Sequence, residues 1–199
     1  MANQNIPGRL FIISAPSGAG KTTLTSAILN DMRPLYALER VITYTSKAPR
    51  PGEVHGRDYY FVSVAEFEQK IQEGFFIEWS GAYGNYYGSP KTILADLAAG
   101  KSFIMILDRA GAHAVQQKVA DAVLIWIHIH SIDILRERLI TRGQDSEEQM
   151  VRRLLLAQQE VEEELKNPLF QHHIINDFFE VAVENIKNII KQSVVAIVE

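Results

Sequence analysis

The stretch APSGAGKT, residues 15–22, decides the fold. It follows GRLFIIS, residues 8–14, a short apolar and β-branched run, and it opens a segment over 21–30 that reads as a helix. Strand, Gly-rich turn and helix in that order make the pattern a phosphate-binding loop. Gly18 and Gly20 let backbone N–H groups turn toward phosphate oxygens, and the helix N-terminus adds positive potential. Lys21 reaches the outer phosphates of a nucleoside triphosphate and Thr22 can hold Mg2+. Ala15, Pro16, Ser17, Gly18, Ala19, Gly20, Lys21 and Thr22 are therefore the expected cradle. Ala15 stands where the usual pattern has its first glycine, and its methyl group fits only if that position does not need a positive φ.

Away from this unit the pattern changes. Over about 39–87, short strand-like pieces at 41–45, 59–62 and 75–80 are separated by Gly and Pro, with one helix near 64–72. This reads as an inserted lobe. After Ser89 the alternation resumes, with a helix over 90–99, a strand over 102–107 (SFIMIL), a helix over 109–118, a strand over 122–128 (AVLIWIH) and a helix over 131–142. Apolar runs of this kind suit buried parallel strands. A charged helical stretch at roughly 146–166 precedes Pro168, a strand over 172–176 and an amphipathic helix from about 178. That helix's Ile186, Ile189, Ile190, Val194, Val195 and Val198 suit core packing.

Composition narrows the class. A chain of 199 residues holds one α/β domain with a small lobe or lid, and 47% hydrophobic with 22% charged residues is ordinary for a globular protein. The net charge of −4 argues against a broad nucleic-acid surface. The absence of cysteine excludes disulfides, thiolate zinc sites and a cysteine nucleophile, and fits a reducing compartment. The first residues are polar, without the apolar stretch of a signal peptide, and no segment approaches the ~18–20 apolar residues of a membrane span. The expectation is a cytoplasmic protein with no membrane and no nucleic-acid partner.

Three further segments, TSKAPRPGEVHGRDYYFV (45–62), FIEWSGAYGNYYGSP (76–90) and LRERLITRGQDSEEQMVRRL (135–154), together with the phosphate loop, resemble the guanylate kinase family of bacterial type, over about residues 8–177. The resemblance implies an α/β, P-loop nucleoside monophosphate kinase fold: a mostly parallel sheet flanked by helices, with core 8–38 and 89–199. It places an acceptor lobe at about 39–88 and a helical lid at about 138–155. It implies phosphorylation of GMP, and of dGMP, by ATP with Mg2+. Lys47, Arg50, Tyr59 and Tyr87 would then hold the acceptor phosphate, and Thr43, Glu78 and Ser89 the base. Guanine presents N1–H and N2–H2 donors side by side, which one carboxylate such as Glu78 can accept together. Arg138, Arg142 and Arg153 would join Lys21 in stabilising charge on the transferring group. Asn176, with Asp177, would lie near the donor's adenine, and Asp108 in the acceptor and metal region. The partners are then ATP and GMP, for a monomer or a homo-oligomer.

The chain departs from the family pattern near the chemistry. Lys47 replaces an arginine and loses its planar fork, and where the family commonly has two acids followed by Gln-Gly this chain reads Ile106, Leu107, Asp108, Arg109, Ala110, Gly111. These changes keep two other readings open: a shifted phosphorylated acceptor, and a noncatalytic binding module. His128 with His130, and His172 with His173, read as core or edge histidines, because no ligand spacing completes a metal set. Glu160, Glu162, Glu163 and Glu164 read as a solvated helical face.

Overall fold

The computed structural model describes residues 7–16, 19–82, 84–143 and 146–195, and within these not the side chains of Leu35, Ala82, Arg142 and Val195. Ser17, Gly18, Val198 and the side chains of Arg142 and Val195 thus lie outside the described residues. In chain order the elements begin with β1 (Leu10–Ser14), α1 (Lys21–Tyr36), β2 (Leu38–Arg40), β3 (Tyr44–Thr45), β4 (Tyr60–Phe61), α2 (Val64–Gln72), β5 (Phe76–Ala82) and β6 (Asn85–Pro90). They continue with α3 (Ile93–Ala98), β7 (Ser102–Ile106), α4 (Arg109–Gln116), β8 (Val123–His128), α5 (Ile132–Arg142), α6 (Glu147–Lys166), β9 (His172–Ile175) and α7 (Phe179–Val195).

Five strands form an all-parallel sheet in the order β2-β7-β1-β8-β9. Every residue of β1 is buried. Successive side chains leave a strand on opposite faces, so Phe11 and Ile13 pack with Leu24, Ile28 and Met32 of α1 and with Ile186 and Ile190 of α7. Leu10 and Ile12 pack on the other face with Met105, Trp126 and Phe170. A strand covered on both faces has no reason to alternate with polar residues, which is why LFIIS reads as a continuous apolar run.

Several boundaries differ from the sequence reading. Helix α1 runs on past Asn30 to Tyr36, because buried Met32 holds its last turns on the core and Pro34 falls near the end, where it breaks little. The strand expected over 41–45 is reduced to its last two residues: the parallel sheet takes β2 just before it, Val41 N–H still donates to Ile104 O at 2.9 Å, and the chain then leaves to form β3 in a second sheet. That second sheet has the order β4-β3-β6-β5, with β3 antiparallel to β6 and β6 antiparallel to β5. Because β6 continues to Pro90, the next helix starts at Ile93 rather than at 90.

The second sheet is held by aromatic packing. Phe67 of α2 stacks between Phe76 and Tyr86, with centroids 4.5 and 5.2 Å away. Gly88 makes that stack possible, since a Cβ there would lie 2.9 Å from Phe76 Cδ1 and 3.0 Å from Phe67 Cζ. Gly88→Ala is expected to destabilise the fold by ~1–3 kcal/mol through overpacking, read as a lowered urea midpoint.

Candidate active site

The Gly-rich turn leaves the carboxyl end of β1, Asp108 follows β7 and Asn176 follows β9, so three chain segments meet at one edge of the parallel sheet. Ligands of open α/β sheets bind at that edge. A cleft of 1340 Å³ opens there between the two sheets and is lined by Lys21, Thr22, Glu78, Asp108, Arg138 and Arg153 among others.

The turn is fixed from below. Gly20 caps α1 with φ +91, a conformation that favours glycine, and a Cβ on it would come within 3.2 Å of Asn176 Nδ2. Asn176 donates from that nitrogen to Ala19 O at 3.0 Å, while its own carbonyl accepts from Arg138 Nη2 at 3.2 Å. Ala37 alone among the described non-glycine residues has a positive φ, so Ala15 satisfies the condition its methyl group imposes. Lys21 folds back over the turn, its ammonium donating to the carbonyls of Ala15 and Pro16. Burial lowers the pKa of Lys21, Arg153 lowers it further, and Glu160 and Asp108 oppose both. Pro16, Ala19 and Ser89 do not themselves line the cleft.

On the opposite wall stand Thr43, Lys47, Arg50, Tyr59 and Tyr87. Lys47 Nζ pairs with Glu53 Oε2 at 2.6 Å and lies 5.0 Å from the centroid of the Tyr59 ring. The Arg50 backbone N–H also donates to Glu53, at 2.7 Å. Burial pushes the Glu53 carboxyl up, but the Arg50 amide and the Lys47 ammonium outweigh it and hold it below the usual range. Glu53 is a cleft residue that the sequence reading missed, because a loop acid carries no periodic signal.

Glu78 is 7% exposed on β5, and Ser89, fully buried behind it on β6, donates its hydroxyl to Glu78 Oε1 at 2.6 Å. Burial, helped by Asp108, pushes the Glu78 carboxyl up to about 7 against the opposing Ser89 bonds and Lys118. Asp108 caps α4 by accepting the Gly111 N–H at 2.7 Å and also lines the cleft, together with Ile106 and Ala110.

The expected solvated face of glutamates is corrected in part. Glu162 and Glu163 are exposed, but Glu160 faces the cleft and Glu164 is 2% exposed. Residues 153, 157, 160 and 164 recur at helical spacing, so α6 turns Arg153, buried Ala157, Glu160 and Glu164 inward together. Burial raises Glu160 to about 7, with Lys21 opposing and Asp108 assisting. His128 Nε2 and His173 Nδ1 lie 2.7 Å apart on neighbouring strands, outside the cleft. Among the described residues no group of three or more His, Cys, Asp or Glu is placed to hold a metal ion, and no helix is long and apolar enough to cross a membrane.

This cleft, with a lysine-bearing phosphate turn on one wall and a basic and aromatic lobe on the other, has the build of a P-loop kinase. The sequence pattern of the family described as "Guanylate kinase" matches residues 7–193. The guanylate kinase of Geobacter sulfurreducens is 43% identical over 184 residues, 92% of this chain and 88% of that protein. That of Rubrobacter xylanophilus is 42% identical over 188 residues, 94% of this chain and 95% of the relative. The crystal structure of guanylate kinase from Anaplasma phagocytophilum superposes with a TM-score of 0.76 at 27% identity, covering 94% of this chain and 87% of that one. The chain belongs to the guanylate kinase family.

Because folding raises the Glu78 carboxyl from 4.5 to about 7, this group's contribution to stability is present below pH 4.5 and is lost as pH rises through 7. Glu78→Gln removes that loss. The variant is expected to gain about 2 kcal/mol on the wild type between pH 5 and pH 8, measured as the difference in urea unfolding at the two pH values.

Proposed function

We propose that the protein transfers the γ-phosphoryl group of ATP to GMP, giving ADP and GDP, with dGMP as a second acceptor. The observation that carries this reading is Glu78, a buried carboxylate that faces the same cleft as Lys21. A core of residues 8–38 and 89–199 holds the donor, a lobe of about 39–88 the acceptor, and a lid of about 138–155 closes over both. Within the core, residues 15–22 cradle the triphosphate, and Asn176 keeps the turn in shape beside the donor base.

In the acceptor lobe Glu78 accepts both guanine donors, held in place by Ser89, while Thr43 offers a hydroxyl to the base. Lys47, Arg50, Tyr59 and Tyr87 orient the acceptor phosphate for in-line attack. Lys21, Arg138, Arg142 and Arg153 stabilise charge on the transferring oxygens. Thr22 brings a hydroxyl and Asp108 a carboxylate to the cleft, hard oxygen donors that suit Mg2+. When bound with ATP, that ion neutralises charge on the donor phosphates. Closure excludes water and limits hydrolysis of ATP. A chain without cysteine suits a reducing compartment, here the cytoplasm.

ADP production from ATP and Mg2+ with GMP, dGMP, AMP, UMP or no acceptor tests the reading. Turnover confined to guanine nucleotides is expected, with Lys21→Ala lowering kcat by ~100-fold or more. Turnover without acceptor dependence would contradict it. The KM for GMP is expected to rise as pH falls from 8 to 6, because protonation of Glu78, near 7, removes the acceptor of two base donors. Glu78→Gln should flatten that rise relative to wild type.

A further inference from the structure

Arg109 directly follows Asp108 at the start of α4 and lines the cleft, yet its guanidinium reaches out to the far end of α6. Its Nε donates to Glu164 Oε2 at 3.2 Å, Nη1 lies 3.5 Å from Glu163 Oε1, and Nη2 donates to the carbonyl of Asn167, which closes α6. The final carbonyls of a helix have no partner within it, and a cation there also complements the helix dipole. Glu164 has a side chain only 1% exposed, so its charge requires a partner inside the protein. It also accepts the N–H groups of Leu169 at 3.0 Å and Phe170 at 3.1 Å, and His173 Nε2 lies 3.6 Å away.

The last turn of α6 is thereby fastened to the residue beside Asp108. Glu160 stands about one turn before Glu164 on the same helix and Arg153 about three turns before it, and both line the cleft that holds Lys21. A planar guanidinium can serve three acceptors on one helix end in a way an apolar or amide side chain cannot. We propose, building on the kinase reading above, that Arg109 is a positioning residue: it pins the C-terminal end of α6 so that Arg153 is presented to the triphosphate and Glu160 to Lys21.

Arg109→Gln alone leaves the buried Glu164 charge without its guanidinium and can unfold the chain, so the neutral pair R109Q/E164Q is made beside it, with R109K as the conservative variant. In folded protein, R109Q/E164Q is expected to lose ~10-fold or more in kcat while the KM for GMP stays within about twofold, since both displaced groups act on Lys21. R109K should recover part of kcat. Since the chain has no cysteine, spin labels on cysteines placed at Asn30 of α1 and Leu155 of α6 report the helix position without turnover. Their distance distribution should broaden in R109Q/E164Q and narrow again in R109K. Wild-type kcat with an unchanged distribution would overturn the assignment. So would a ~10-fold rise in the KM for GMP accompanying the loss of kcat, which would put the guanidinium on the acceptor phosphate. If the wild type itself makes no GDP, the kinase reading fails, while the label distances still decide whether Arg109 pins α6.

Discussion

Lys21 must keep its charge in a place where burial works against it. The ammonium sits at the mouth of the Gly-rich turn, donating hydrogen bonds to the carbonyls of Ala15 and Pro16, and its affinity for a proton is sustained by Glu160 and Asp108. Each of these supports comes from a different part of the chain. The turn leaves β1, Asp108 caps the helix after β7, and Glu160 belongs to α6. Meeting them at one point requires the parallel sheet, because only parallel strands bring successive carboxyl ends to the same edge. The turn itself is held by Asn176 at the end of β9, which binds Ala19 through its side chain and Arg138 through its carbonyl.

The second sheet answers the opposite requirement. Its β5 and β6 bury a carboxylate, Glu78, whose desolvation is only partly offset by the Ser89 hydroxyl and by Lys118. A group so placed is costly in the folded chain and well suited to accept hydrogen-bond donors from a ligand, since desolvated acceptors gain most from being satisfied. The aromatic stack of Phe67, Phe76 and Tyr86 gives this small sheet an interior of its own.

The departures from the family pattern fall where the two halves face each other. Lys47 is taken up by Glu53 and lies over Tyr59, so a bound anion must share or displace that carboxylate. Ile106 presents an apolar surface to the cleft. Arg109, part of the segment that departs from the family pattern, is directed to Glu163 and Glu164 of α6 and to Asn167 at its end.

By itself the sequence determined the phosphate turn, the buried parallel strands and the alternation of strands with helices, because these follow from local spacing: glycines and a lysine at fixed offsets, and apolar runs of strand length. It also marked Glu78, Lys47, Arg50 and Tyr59 through their resemblance to a family, and all four line the cleft. Only the tertiary structure decided which charges are partnered. Glu53 reaches Lys47 within a loop of no periodicity, Glu164 leaves a run of acids that looks solvated to pair with Arg109 55 residues away, and Ser89 turns behind Glu78 rather than into the cleft. Burial and long-range charge depend on distances in space between segments far apart in the chain, and those distances exist only once the two sheets and α6 have packed together.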